Sequence, residues 1–154
     1  MHLTSEEYRN LVDFQKPNKH KNNKVYVYDD NYVGIGAKEN SHGLVREQYD
    51  SQKEYMRHKE LILLERAGKI SNLKRQVPIE VFAGYTDSTG KQIKAVIYKA
   101  DFCYDTIENG NNVSVIEDVK GQDKKTGKYL TTEAFRLKWK MLKARYPNKQ
   151  FRLY

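Results

Sequence analysis

Apolar residues recur at helical spacing in some segments of this chain and alternate with polar ones in others. Residues 50–67 form the clearest helix, with Tyr55, Leu61, Ile62 and Leu64 on its apolar side and Gly68 placed to end it. A later helix starts at Thr131 or Thr132, either of which can cap it, and runs to about Arg145. Phe135, Trp139, Leu142 and Tyr146 recur on one of its faces. Pro147 stops it, and QFRLY reads as a closing strand. A short amphipathic helix opens at Thr4-Ser5-Glu6-Glu7, with Tyr8, Leu11, Val12 and Phe14 as its stripe. Strand patterns cover VYVYDD (25–30), KRQVPIEVF (74–82), 93–104 and 113–119. Residues 32–49 read as irregular, and GIGAKENSHG is no phosphate loop because no helix pattern follows its glycines. GQDKKTGK reads as a basic, mobile loop. The order of elements predicts a mixed α/β (α+β) fold, a central mixed sheet flanked by helices. One domain over residues 25–154 follows an N-terminal helix and basic arm at 1–24.

Within this pattern the stretch YKADFCYDTIENGNNVSVIEDVKG, residues 98–121, puts acids and a lysine inside segments that otherwise look buried. Asn109-Gly110 is a strong hairpin signal, because a type I′ turn needs positive φ at both central residues. If the strands pair around it, facing residues have numbers adding to 219, as Asn109 and Gly110 do. Asp101 then faces Asp118, their Cβ atoms about 5 Å apart. Lys99 and Lys120 form the next pair on the same face, since alternate residues share a face. Two carboxylates so placed repel each other unless something neutralises them. Mg²⁺ does this with one or two carboxylates while keeping positions open for water and phosphate oxygens. Val119 is expected to point into the core, and Glu117, on its side, stands at the edge or behind the acid pair. The competing interpretation is a surface hairpin with ordinary Asp–Lys pairs, against which Ala100, Phe102, Val115, Ile116 and Val119 argue for burial.

Charge sharpens the picture. The 154 residues carry 28 Lys and Arg against 20 Asp and Glu, a formal charge of +8, which favours an anionic partner, most often nucleic acid. KPNKHKNNK, residues 16–24, reads as a flexible arm or a solvated linker. The single cysteine, Cys103, excludes a disulfide framework and fits a reducing compartment. The N-terminus lacks the apolar core of a signal peptide, and no run approaches the roughly 20 apolar residues of a membrane helix. These features predict a cytoplasmic protein, in the host cytoplasm if a phage encodes it, with no membrane partner. His2, His20, His42 and His58 show no ligand spacing and read as surface residues, which weakens a zinc enzyme.

Asp101 … Asp118-Val119-Lys120 resembles the D…(D/E)-x-K signature of the PD-(D/E)XK nuclease superfamily. The surrounding YDSQKEYMRHKELILLERAGKISNLKRQVPIEVF, YKADFCYD and VIEDVKG, followed by a Thr-led helix with Lys138, look like a family of small phage proteins in that superfamily. The layout is also similar to phage Holliday junction resolvases and transposon end-cleaving nucleases. The resemblance covers roughly residues 50–146. It implies a restriction-endonuclease-like core and a Mg²⁺-dependent endodeoxyribonuclease, with Mn²⁺ as substitute, acting on branched DNA in phage recombination or replication. A homodimer would suit the cutting of two strands.

Residue by residue, the resemblance implies that Asp101 and Asp118 are metal ligands and that Lys120 orients or deprotonates the attacking water, or steadies charge on the phosphate. Glu54 matches the acid of the preceding helix, with Glu60 as its rival. Ser51-Gln52-Lys53-Glu54 is also a capping box, so Glu54 has a second possible task. Gln76 lies where related nucleases carry a polar residue near the site. Ala100 stands where the motif usually has proline. Lys19, Lys21 and Lys24 of the arm, Lys124 and Lys125 of the loop and Lys138 of the last helix are the expected DNA contacts. The alternative is a non-catalytic, basic DNA-binding accessory protein.

Overall fold

The computed structural model describes residues 23–154. The expected N-terminal helix and most of the basic arm, with Lys19 and Lys21, lie outside the described residues. The described residues form two compact units, the first ending at Leu63 and the second spanning Leu64–Tyr154.

In the first unit, β1 (Val25–Tyr28), β2 (Val33–Ile35) and β3 (Val45–Tyr49) form an antiparallel sheet in the order β2-β1-β3. Every side chain of β1 is buried, so VYVY shows no polar alternation. The stretch expected to be irregular thus holds two strands and a 3-10 turn at Asn40–His42. The signal was weak because β2 has only three residues around Gly34, and β3 is apolar only at Val45 and Tyr49. Helix α1 (Gln52–Arg66) follows, and Gly68 lies beyond its end at φ 68. The α1 residues Glu54, Tyr55, His58 and Leu61 are buried. Leu64 is exposed, contrary to the helical stripe, and buried His58 corrects the expectation of a surface histidine. The Tyr49 hydroxyl donates to Glu47 and meets Nδ1 of His58 at 2.7 Å, which satisfies the buried ring.

The second unit is built on β4 (Ile70–Phe82), β7 (Val96–Glu108), β8 (Asn111–Asp118) and β9 (Lys149–Leu153), hydrogen-bonded in that order. β5 (Tyr85–Thr86) and β6 (Gln92–Ile93) form a separate small ribbon. β4–β7 and β7–β8 are antiparallel and β8–β9 is parallel, so the sheet is mixed, as expected. A parallel pair needs a crossover, which here includes α2 (Glu133–Arg145). The Thr132 hydroxyl caps α2 by accepting the Phe135 N–H at 3.1 Å. The helix buries Trp139 and Leu142 in a core with Val81, Ala100 and Ile116, each large side chain contributing about 1.5–3 kcal/mol. Among the described residues no helix is long and apolar enough to cross a membrane.

Candidate active site

The turn at Asn109 (φ 51) and Gly110 (φ 80) has positive φ at both positions. It sets a ladder from Glu108 opposite Asn111 to Phe102 opposite Glu117. Facing numbers add to 219 throughout the ladder; continued one step beyond its last pair, at the open end of the hairpin, the same sum would set Asp101 across from Asp118. There the Asp101 Oδ2 accepts the backbone N–H of Val119 at 2.8 Å. Lys120 Nζ donates to Asp118, whose carboxylate also takes the hydroxyl of Tyr98. Asp118 and Lys120 are therefore paired, and Asp101 is tied to Val119, the residue between them.

Burial makes this group unusual. Asp118 is only 2% exposed, and an isolated buried carboxylate is costly unless paired and hydrogen-bonded. Tyr98 and Lys120 provide those partners. Burial, and then the hydrogen bond to Asp118, push the Tyr98 hydroxyl well above the ordinary tyrosine value, so it stays protonated and donating. The ammonium of Lys120 also lies over the ring of Phe135, 4.4 Å from its centroid. The Lys120 backbone is held as well: its N–H donates to the Tyr154 carbonyl at 3.0 Å, extending the contact with β9.

Gln76 occupies the β4 position facing Asp101, between the pairs Arg75–Phe102 and Val77–Ala100. Its side-chain amide reaches Asp101 Oδ1 at 3.4 Å. Its φ is 52, a left-handed backbone that costs a residue other than glycine about 1–3 kcal/mol. Strain of this kind persists where surrounding contacts demand it, and here it accompanies a side chain aimed at a candidate acid.

Other expected residues fall elsewhere. Glu117 is 1% exposed and accepts the Tyr104 hydroxyl at 2.8 Å; strand alternation turns it to the opposite face from Asp118. Val119, expected in the core, is half-buried, and Lys99 is exposed opposite Pro78. In the first unit Glu54 is buried and works as a cap: its N–H donates to Ser51 Oγ at 3.1 Å, and its carboxylate takes the Asp50 N–H at 3.0 Å. Glu60 is exposed and pairs with Arg57. Lys24 lies 3.7 Å from Asp50. Lys124 and Lys125 are exposed on a loop that is a hydrogen-bonded turn: Asp123 Oδ1 accepts from the backbone of Lys125 and Thr126 and from the Thr126 hydroxyl. Lys138 is half-buried on α2.

Residues 40–153 match the family described as Protein of unknown function (DUF1064). The chain belongs to that family. The DUF1064 match contains the whole β7–β8 hairpin, Gln76 and both helices; Lys19, Lys21 and Lys24 precede it. Comparison with curated proteins and with solved structures finds no match.

Two residues of the candidate site escaped the sequence. Tyr98 and Phe135 look like core aromatics, and no motif signals that one holds Asp118 while the other lies beneath Lys120. Hard oxygen donors on adjacent strands suit Mg²⁺ or Mn²⁺ better than a softer metal, so the donor set of Asp101 and Asp118 fits such an ion. Among the described residues no group of three or more His, Cys, Asp or Glu is placed to hold a metal ion, so that fit rests on the pair.

Proposed function

We propose that this DUF1064 protein is a metal-dependent endonuclease that hydrolyses phosphodiester bonds in DNA, branched DNA in particular. One observation carries the reading: buried Asp118 is joined to Lys120 at the open end of a hairpin whose register brings Asp101 to the same place. Asp101 and Asp118 are the residues that would hold Mg²⁺ or Mn²⁺. The ion, when bound, supplies Lewis-acid polarisation of the phosphate and a lowered pKa for water.

The chain's own residues do the rest. Lys120 carries a fixed positive charge towards which a phosphate oxygen can turn, and it gains worth from low solvent access. Tyr98 donates to Asp118 and fixes its orientation. The Val119 N–H and Gln76 fix Asp101 in the same way. Lys124 and Lys125, exposed on their turn, are suited to backbone phosphates, a contact that carries affinity without base information and weakens with salt. Cutting two strands would favour a homodimer, and a cytoplasmic location accords with the lone reduced thiol.

The accessory-protein reading has one observation in its favour: Asp118 is already satisfied by Tyr98 and Lys120 without any ion. Incubation with linear, flapped and four-way-junction DNA, with Mg²⁺ or with EDTA, decides between them. The nuclease reading expects Mg²⁺-dependent cleavage, strongest on branched substrates and lost in Asp118→Asn. Binding of all three DNAs without cleavage in Mg²⁺ or Mn²⁺ would establish the accessory role instead.

A further inference from the structure

Beside the candidate active site, α2 borders a cleft of about 340 Å³ lined by Tyr129, Phe135, Arg136, Trp139, Lys140 and Lys143, among others. Its composition is peculiar. Tyr129, Phe135 and Trp139 give it aromatic walls, while Arg136, Lys140 and Lys143 sit within about 60° of arc on the helix surface. Among the described residues Glu133 is the acid near Arg136, at 4.0 Å, and none pairs with Lys140 or Lys143. Lys138 projects from the far side of the helix, about 160° from Arg136, and does not line the cleft. Phe135 belongs to both places: its ring lines the cleft and lies under the ammonium of Lys120.

We infer that this cleft takes one unpaired nucleotide of a nucleic-acid strand, its base against the aromatic walls and its phosphates on Arg136, Lys140 and Lys143. Aromatic walls beside a row of cations meet both halves of a nucleotide, whereas a paired base keeps its faces stacked in the duplex and cannot enter. An acidic peptide would satisfy the cations and leave the aromatic walls unused. The inference deepens the nuclease reading and rests on it for one point: the shared Phe135 sets the unpaired nucleotide next to the bond to be cut. Selection of branched DNA then comes from unpaired bases at the branch.

Trp139 is the only tryptophan in the chain and lines the cleft from the core side, so tryptophan emission comes from a residue at this cleft. The experiment titrates the full chain, in EDTA, with a short oligothymidylate, with a blunt hairpin duplex of equal phosphate number, and with polyglutamate of equal charge. The expected result is saturable quenching of Trp139 by oligothymidylate and little by the other two. Arg136→Gln/Lys140→Gln/Lys143→Gln should weaken oligothymidylate at least tenfold. Tyr129→Leu, assayed after its thermal midpoint is matched to wild type, should weaken it about tenfold as a stacked base is lost. Equal binding of all three probes without quenching, or tighter binding of polyglutamate, overturns the inference. Neither metal nor turnover enters this measurement. Failure here leaves DNA cleavage standing, and quenching by a protein that never cuts DNA would remove the nuclease reading while leaving the cleft.

Discussion

The two ends of the β7–β8 hairpin both carry acids, and they treat them differently. Near the turn, Asp105 accepts from Ser114 at 2.7 Å and from Asn72 at 2.8 Å, while Glu108 pairs with Arg152 and accepts from Gln150. Those hydrogen bonds hold both carboxyls below their ordinary values, Asp105 through Ser114 and Asn72, Glu108 through Arg152 and Gln150. Water screens this end, so the partners contribute little energy. At the open end Asp118 has lost its water and depends on Tyr98 and Lys120. The same register thus makes one end a tolerant surface and the other a place where a charge is held at a cost.

The sharpest way to break the comparison is to neutralise one acid at each end. Asp118→Asn should lower Mg²⁺-dependent cleavage about a thousandfold in a plasmid or junction assay, whereas Asp105→Asn should leave the rate within twofold. Equal losses would erase the distinction between the ends. Next in size, Lys120→Met removes the cation from a buried carboxylate and should cost about 3 kcal/mol in urea unfolding, with cleavage abolished. At the turn, Gly110→Ala forces a side chain onto φ 80 and should cost about 1–2 kcal/mol while cleavage is retained by the folded fraction.

Gln76→Gly tests the strain next to Asp101. Relief of the left-handed backbone should raise stability by about 1 kcal/mol, and the lost contact to Asp101 should slow cleavage roughly tenfold. A variant that is both more stable and fully active would leave the Gln76 conformation without a catalytic purpose. The smallest effect concerns pH. The carboxyl of Asp105 is held below its ordinary 3.8, so its contribution is complete above that value and fades as pH falls through the folded-state pKa. The stability difference between wild type and Asp105→Asn should be constant from pH 7 to 5, no more than about 0.5 kcal/mol, and should close below pH 4.

Much of the open end was legible because hairpin pairing is arithmetic. A two-residue turn specifies the register, the register specifies which residues face each other, and Phe102 opposite Glu117 follows from Asn109-Gly110. Both helices were legible for a similar reason, Thr132 and Gly68 marking a start and an end where the backbone requires them. The misses share a cause. β2 has only three residues around Gly34 and β3 is polar at Arg46, Glu47 and Gln48, so local pattern could not separate them from loop. His58 is buried by its contact with Tyr49, which no local pattern encodes. Glu54 fitted two tasks in sequence, the metal role favoured over the cap, and its hydrogen bonds with Ser51 and Asp50 are those of the cap.

The amino-acid sequence on its own determined the α/β class, the hairpin and its register, since these depend on neighbours close in the chain and on the period of two or 3.6 residues. Tertiary structure alone decided that Tyr98 holds Asp118, that Gln76 bends its backbone beside Asp101, and that Phe135 lies under Lys120. Those contacts join residues on different elements. Their strength comes from the exclusion of water, a property no residue possesses until the sheet and the helix have closed over it.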